Sequence, residues 1–115
     1  MAKQKLPALA APFQGKWRIA EIDVWDNEAI DLLAPAFIAF KGREGEMRFI
    51  ALTAWLDVRY DARNGGPVAE FSWEGDDEGD QRSGRGRVAL GTAGRLFGHV
   101  YIHRGDDSGF VCEPW

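Results

Sequence analysis

Apolar and polar residues alternate with a period of two along most of the chain beyond residue 35. In residues 55–61, for example, Leu56, Val58 and Tyr60 form one set of alternate positions. This period is typical of β-strands that bury one face, since successive side chains of a strand point to opposite sides. The pattern predicts strands at 15–25, 36–41, 46–53, 55–61, 68–74, 86–90, 95–103 and 109–112.

Short glycine-containing segments separate these predicted strands. Residues 64–67 and 91–94 have the composition of hairpin turns, and an acidic loop is predicted at 75–82. Strands joined by short turns pair antiparallel, and closing about eight of them into a barrel hides both exposed edges. We therefore expect a mainly β protein, a single antiparallel meander of about eight strands closing into a barrel. The alternative is an open, half-rolled sheet with a helix covering one face.

The first predicted strand changes phase in its middle. Trp17 and Ile19 lie on one face, but Ile22 lies in the other phase. A β-bulge near Ala20-Glu21 brings both sets of side chains to the core, as barrel strands often require.

Residues 26–33 differ from the strands around them. Asp26 suits an N-cap, acidic residues follow in the first turn, and Pro35 ends the segment. These signals predict one short helix after the first strand. Residues 1–12 are predicted to form a flexible arm, and residues 13–115 a single domain.

The composition is that of an ordinary globular domain, with 45% hydrophobic and 28% charged residues among 115. A net charge of −4 at pH 7 argues against a phosphate-binding surface, so we expect no nucleic-acid partner. No apolar run approaches the roughly 18 residues of a membrane span, so no membrane partner is expected either. The single cysteine, Cys112, cannot form an internal disulfide, which favours a cytoplasmic location.

The segment Phe13-Gln14-Gly15-Lys16-Trp17 resembles the entry to the first strand of calycin-type barrels, which include the fatty-acid-binding proteins and the lipocalins. Gly15 suits a tight entry, and Trp17 suits a plug for the closed end. The resemblance implies a barrel that carries a small ligand. It is confined to the stretch from Phe13 to Leu33, and the Arg-x-Tyr with which fatty-acid-binding proteins hold a carboxylate is absent.

The chain as a whole also resembles a set of small uncharacterised bacterial proteins, and this resemblance implies no activity. Neither resemblance determines function, which has to be argued from the side chains. The residues that carry the second resemblance are Gly15–Ile19, Trp25-Asp26, Asp31-Leu32, Phe71–Gly75, Asp77-Glu78, Ser83–Gly86 and Gly105–Ser108.

The densest polar segment is 74–87, in which five acidic residues precede three arginines. Its spacing does not fit a calcium loop, because Arg87 occupies the position that requires a bidentate acid. We interpret the segment as a hairpin loop whose acids and arginines neutralise each other across strands; the alternative is a protein-binding loop. The residues predicted to bind such a partner are Glu74, Asp76, Asp77, Glu78, Asp80, Arg85 and Arg87.

His99, Tyr101 and His103 occupy alternate positions of one predicted strand, in the opposite phase to Val100 and Ile102. We expect the aliphatic phase to face the core and the histidine row to face outward. If the row lines the barrel instead, it gives an aromatic pocket with titratable groups. The two histidines are too far apart along a strand to share one metal ion.

These observations favour a non-catalytic binding module without cofactor or metal, most simply a barrel that holds a small organic ligand at its mouth. The first alternative is a filled barrel that binds a protein through residues 74–87. The second is a small enzyme in which His99 or His103 meets a carboxylate inside a cavity. The residues predicted to contact a ligand are Trp25, Trp55, Tyr101, His99 and His103.

Overall fold

Eight antiparallel β-strands follow one another along the chain and close into a barrel in the computed structural model of the protein, which describes residues 6–23 and 34–115. Each strand pairs with the next, and the first pairs with the last. The expected closed meander is confirmed, and the half-rolled sheet is not observed. The strands are β1 (Gly15–Ile22), β2 (Phe37–Lys41), β3 (Glu44–Phe49), β4 (Leu52–Arg63), β5 (Gly66–Asp77), β6 (Asp80–Leu90), β7 (Leu96–Ile102) and β8 (Asp107–Pro114).

The bulge expected in the first strand is present. The register of β1 against β8 shifts between Ile19 and Glu21, so one extra residue lies on the β1 side. Ile19 and Ile22 are consequently both buried. At the start of the same strand Gly15 has a φ of 107°, a backbone conformation that favours glycine.

The boundary between β3 and β4 differs from the sequence prediction. β3 ends at Phe49, and a tight turn at residues 50–51 leads into β4 at Leu52, whereas the predicted break lay at residue 54. The apolar phase continues without interruption through Leu52, Ala54 and Leu56, all of which are buried. Ala54 is therefore a core position within a strand of 12 residues.

The predicted acidic loop at 75–82 is wrong. β5 and β6 run through this segment, and only Glu78 and Gly79 form the turn between them. Both residues have a positive φ, 53° and 91°, as a two-residue hairpin of type I′ requires. Charged residues are compatible with strands here because their side chains are largely exposed while their backbones pair in register as far as Asp77 and Asp80.

A 3₁₀ helix, Ala8–Phe13, packs against β4 and β5 at the end of the barrel where β1 begins. Phe13 is fully buried, and its ring packs edge-on against Phe40, with the two centroids 6.1 Å apart. The indole Nε1 of Trp17 donates a 2.9 Å hydrogen bond to the carbonyl of Phe13. From Ala8 onward the chain is therefore packed on the barrel rather than forming the expected flexible arm.

Polar side chains hold the same closed end together. The hydroxyl of Tyr60 donates to the carbonyl of Gly42 and accepts a 2.9 Å hydrogen bond from Nε2 of Gln14. The amide N–H of Gly42 in turn donates to Oε1 of Gln14 over 2.8 Å. Burial raises the pKa of Tyr60, while the hydrogen bond from Gln14 and the charge of Arg43 lower it. The phenol therefore stays protonated and keeps its bond to Gly42.

Buried hydrophobic side chains from all eight strands form one cluster that fills the barrel. Trp17, Phe40, Phe49 and Phe71, which would bound the void of an interior ligand site, all belong to this cluster. Such a barrel is packed by its own side chains. Cys112 is part of the same cluster, and burial raises the pKa of its thiol, so it packs as a small hydrophobic residue.

The helix predicted at 26–33 and the predicted ligand residue Trp25 lie outside the described residues. Within the ranges that the structure describes, no helix has the length and hydrophobicity that crossing a membrane requires.

Candidate functional site

The outward side chains of β3 to β7 form a continuous surface, called the outer face below. The strand register places Glu74 between Trp55 and Ser83, and places Arg85 between Ser72 and Tyr101. Residues directly opposite each other have Cβ atoms about 4.5–5.5 Å apart, so side chains distant in sequence become neighbours. The outer face is defined by Glu46, Trp55, Asp57, Ser72, Glu74, Asp76, Ser83, Arg85, Arg87, His99, Tyr101 and His103.

An open depression of about 930 Å³ lies in the middle of the outer face. Its lining includes small residues, Ser72, Ser83 and Gly84, between the large side chains of Trp55 and Tyr101. The volume is within the range of about 300–1,000 Å³ that ligand sites occupy. Because the depression opens broadly to solvent, it suits a protruding part of a macromolecule better than an enclosed small ligand.

Trp55 lies beside this depression. Its exposed fraction is 62%, more than that of any other large hydrophobic residue that the structure describes. Further depressions, of about 370 and 500 Å³, also border it. Its direct cross-strand neighbours are Glu46 and Glu74. Tryptophan is among the residues that most often dominate the binding energy of protein interfaces, so this indole is a strong candidate for a contact residue.

Tyr101 is the centre of a second cluster on the outer face. The guanidinium carbons of Arg85 and Arg87 lie 5.3 and 6.0 Å from its ring centroid, within the range of cation–π contacts. Nη1 of Arg87 also donates a 3.2 Å hydrogen bond to the hydroxyl of Tyr101. The imidazole of His99 packs 4.6 Å from the same ring, and its Nε2 lies 2.5 Å from Oδ2 of Asp107.

The acidic and basic side chains of segment 74–87 are not paired with one another. In the described part of the chain, no ion pair joins the acidic residues of 74–80 to Arg82, Arg85 or Arg87. The register explains this, because Glu74 lies opposite Ser83, and Asp76 lies opposite Gln81. The expected mutual neutralisation of segment 74–87 is therefore wrong.

The geometry gives little support to a catalytic site. The aliphatic phase of β7 faces the core, as expected, so the pair formed by His99 and Asp107 lies on the outer face and not in a cavity. The hydroxyl of Ser108 is buried and donates a 2.9 Å hydrogen bond to the carbonyl of Gly109. Within residues 6–23 and 34–115, no group of three or more His, Cys, Asp or Glu residues is arranged to hold a metal ion.

A cavity of about 380 Å³ lies at the barrel end opposite the 3₁₀ helix, between the turns that join β3 to β4, β5 to β6 and β7 to β8. Phe49, Leu52 and Ile102 give it an apolar wall, and Asp77 and Arg82 contribute charge. We call this cavity the mouth.

Trp73 borders the mouth and is 2% exposed. Its indole Nε1 is buried and has no hydrogen-bond partner among the described residues. A buried N–H without a partner costs about 1–3 kcal/mol.

The structure brings together several of the residues predicted to contact a ligand or a partner. Trp55, Tyr101 and His103 line the central depression, although they do so on the outer face and not at the barrel mouth. Of the residues predicted for a protein partner, Glu74 and Arg85 line the same depression.

The other predicted residues lie at the margins of this site. Asp76 borders the 500 Å³ depression beside Trp55, and Arg87 borders a smaller one beside Tyr101. Asp77 lies at the mouth, and Glu78 and Asp80 lie at the exposed hairpin turn.

Sequence reasoning missed three contributors to these sites. The small side chains of Ser72 and Ser83 line the depression without filling it. The only sequence signal for these two residues is a small polar side chain in the outward phase of a strand. Trp73 was not among the residues predicted to contact a ligand, because nothing in the sequence shows that its N–H lacks a partner.

Comparison of the chain with protein-family models, with curated proteins and with solved structures finds no match.

Proposed function

We propose that the protein is a non-catalytic binding module that holds a protein partner on the outer face of its barrel. The observation that carries the proposal is the exposure of Trp55 at the edge of an open 930 Å³ depression. Burial of apolar surface contributes a favourable free energy of roughly 25 cal/mol per Å², which an exposed indole lacks. A partner that covers Trp55 gains this free energy.

The composition of the outer face supports a protein partner. Trp, Tyr and Arg are the residues that most often dominate interface energetics, and Trp55, Tyr101 and Arg85 surround the depression. The packed interior supports the same proposal, because the barrel then acts as a rigid scaffold for residues on its surface.

The charge pattern defines the chemistry of the partner. Glu74 and Asp76 lie on one side of the depression, and Arg85 and Arg87 lie on the other, without ion pairs between the two sides. A complementary surface therefore presents basic groups to the first side and acidic groups to the second.

Replacing Trp55 with alanine tests the proposal, and we expect it to weaken partner binding about 30-fold or more, which corresponds to the loss of about 2 kcal/mol at a hot spot. Wild-type protein and variants are immobilised and exposed to an extract of the source cells. Proteins retained by the wild type and lost from Trp55→Ala are identified, the chain itself included. The affinity of each purified candidate is then measured by calorimetry.

Trp115→Ala is the matched control, because Trp115 is 58% exposed but packs with Lys16 and Phe37 at another part of the barrel. It should retain the partner with unchanged affinity. Equal retention by all three proteins, or equal loss in both variants, contradicts a specific role for the outer face.

A second candidate function is the binding of a small organic ligand at the mouth, as the calycin resemblance implies. The unpartnered N–H of Trp73 beside an apolar wall favours it. A ligand with an apolar body and a hydrogen-bond acceptor matches this arrangement, because its acceptor satisfies the indole N–H while its body covers Phe49 and Ile102.

Native mass spectrometry of the protein purified from its own host tests the second candidate. We expect an additional mass that is lost on denaturation, and we expect Trp73→Phe to lower its occupancy at least tenfold because the donor is gone. Trp55→Phe, a change on the outer face, should leave occupancy unchanged. A bare mass for the wild type, with no gain on incubation with a host lipid and metabolite extract, contradicts this candidate.

A further inference from the structure

The outer face carries two groups of charged residues of opposite sign, called the acidic half and the basic half below, while Asp57 on β4 pairs with Arg59. The acidic half is Trp55 with Glu46, Glu74 and Asp76, and it lies on β3, β4 and β5. Among the residues that the structure describes, none of these three carboxylates takes part in an ion pair.

The basic half is Arg85 and Arg87 beside Tyr101, and it lies on β6 and β7. Neither arginine is neutralised by an ion pair in the described part of the chain. The nearby acidic residues are already engaged: Glu70, opposite Arg87, pairs with Arg63, and Asp107 pairs with His99.

The border between the two halves is occupied by small side chains. It runs from Ser72 on β5 to Ser83 on β6, whose small side chains line the central depression. Glu74 and Arg85 face each other diagonally across this border, two residues apart in register, since Glu74 lies opposite Ser83 and Arg85 lies opposite Ser72.

A face divided in this way is complementary to itself. When two identical faces meet across a two-fold axis that lies in the interface, each point contacts its mirror position across that axis. An axis along the border therefore places the acidic half of each copy on the basic half of the other. Each Glu74 then meets the partner's Arg85, and each Trp55 lies over the partner's Arg85 and Arg87, where cation–π contacts become available.

We propose that the occupant of the outer face is a second copy of this chain, bound across such a two-fold axis. The inference rests on the proposed function, because it names the partner of the same face. The contact between Glu74 and Arg85 occurs twice in the dimer, so one substitution changes two contacts. The attraction is between exposed charges, so the dimer weakens as the salt concentration rises.

Charge reversal followed by mixing tests the dimer. In each of Glu74→Arg and Arg85→Glu, both symmetric contacts become repulsive, and we expect the dimer dissociation constant to rise at least about 30-fold. In a mixed dimer of the two variants both contacts are attractive. One contact joins the two substituted positions, whose charges are exchanged, and the other joins the native Glu74 of one variant to the native Arg85 of the other. Sedimentation velocity should therefore show two monomeric variants that form a dimer when mixed.

Glu21→Arg is the matched control, because Glu21 is exposed on β1, on the opposite side of the barrel from β5. It changes the net charge as Glu74→Arg does and should leave the dimer intact. Circular dichroism verifies that each variant is folded. If a reversal unfolds the barrel, Glu74→Gln and Arg85→Gln replace it, each with an expected tenfold weakening.

The outcomes separate this inference from the proposed function. A wild type that stays monomeric up to about 1 mM, or a dimer that neither reversal weakens, overturns the second copy as the occupant. The proposed function survives that result if Trp55→Ala still loses a different protein that Trp115→Ala retains. Two monomeric variants that do not associate when mixed also overturn the inference, because the reversed contact then fails to restore the interface.

Discussion

Phe13→Ala should lower the free energy of unfolding by about 3–5 kcal/mol, the usual cost of truncating a fully buried aromatic residue. Phe13 has no exposed surface, and its ring packs between Phe40 and Tyr60 at the closed end of the barrel. Alanine keeps the carbonyl that accepts the hydrogen bond from Trp17, so the loss reports ring packing alone. Urea unfolding measures it as a lower midpoint with an unchanged m-value.

Phe97→Ala provides the comparison, because Phe97 is 44% exposed on β7. Its substitution should cost no more than about 1 kcal/mol. Equal losses in the two variants would mean that the 3₁₀ helix contributes little to closing the barrel end.

Gly98→Ala should cost about 3 kcal/mol, the upper end of the usual range for overpacking a core. A Cβ at this position would lie 2.5 Å from the ring of Phe110, 2.6 Å from the carbonyl oxygen of Arg87 and 2.7 Å from Val88. The carbonyl oxygen is part of the backbone of β6, so the strand itself has to move. Thermal or urea unfolding measures the loss.

Gly66→Ala separates this clash from a general effect of removing glycine. A Cβ at Gly66 meets nothing within 4 Å, so the free energy of unfolding should change by no more than about 0.5 kcal/mol. If Gly98→Ala is as mild as Gly66→Ala, β6 and β7 are not packed as closely as the structure indicates.

The fold could be predicted from the sequence because each strand has one apolar phase and short turns leave few ways to connect the strands. Even the bulge at Ala20-Glu21 was predictable, since only an extra residue brings Ile19 and Ile22 to the same side. The segment 75–82 was mispredicted because the ends of a hairpin can pair through their backbones without an apolar face. Hydrophobic periodicity carries no signal for such strands.

The site was harder to predict than the fold. The outward direction of Trp55 follows from the buried Leu56 and Val58 beside it in β4. The neighbours of Trp55 cannot be predicted from the sequence, because they depend on the registers in which β3, β4 and β5 pair. The 3₁₀ helix was missed for a similar reason: residues 8–13 lack periodicity, and contacts with Phe40 and Tyr60 position them.

The order of the strands has a consequence for how the chain folds. Seven of the eight strand pairs join neighbours in sequence and can form as local hairpins, which takes microseconds. The pairing of β1 with β8 joins opposite ends of the chain and carries the largest entropy cost of loop closure. The pairing of β1 with β8 therefore forms late in folding. Until it forms, β1 and β8 are edge strands whose backbone groups can pair with other molecules.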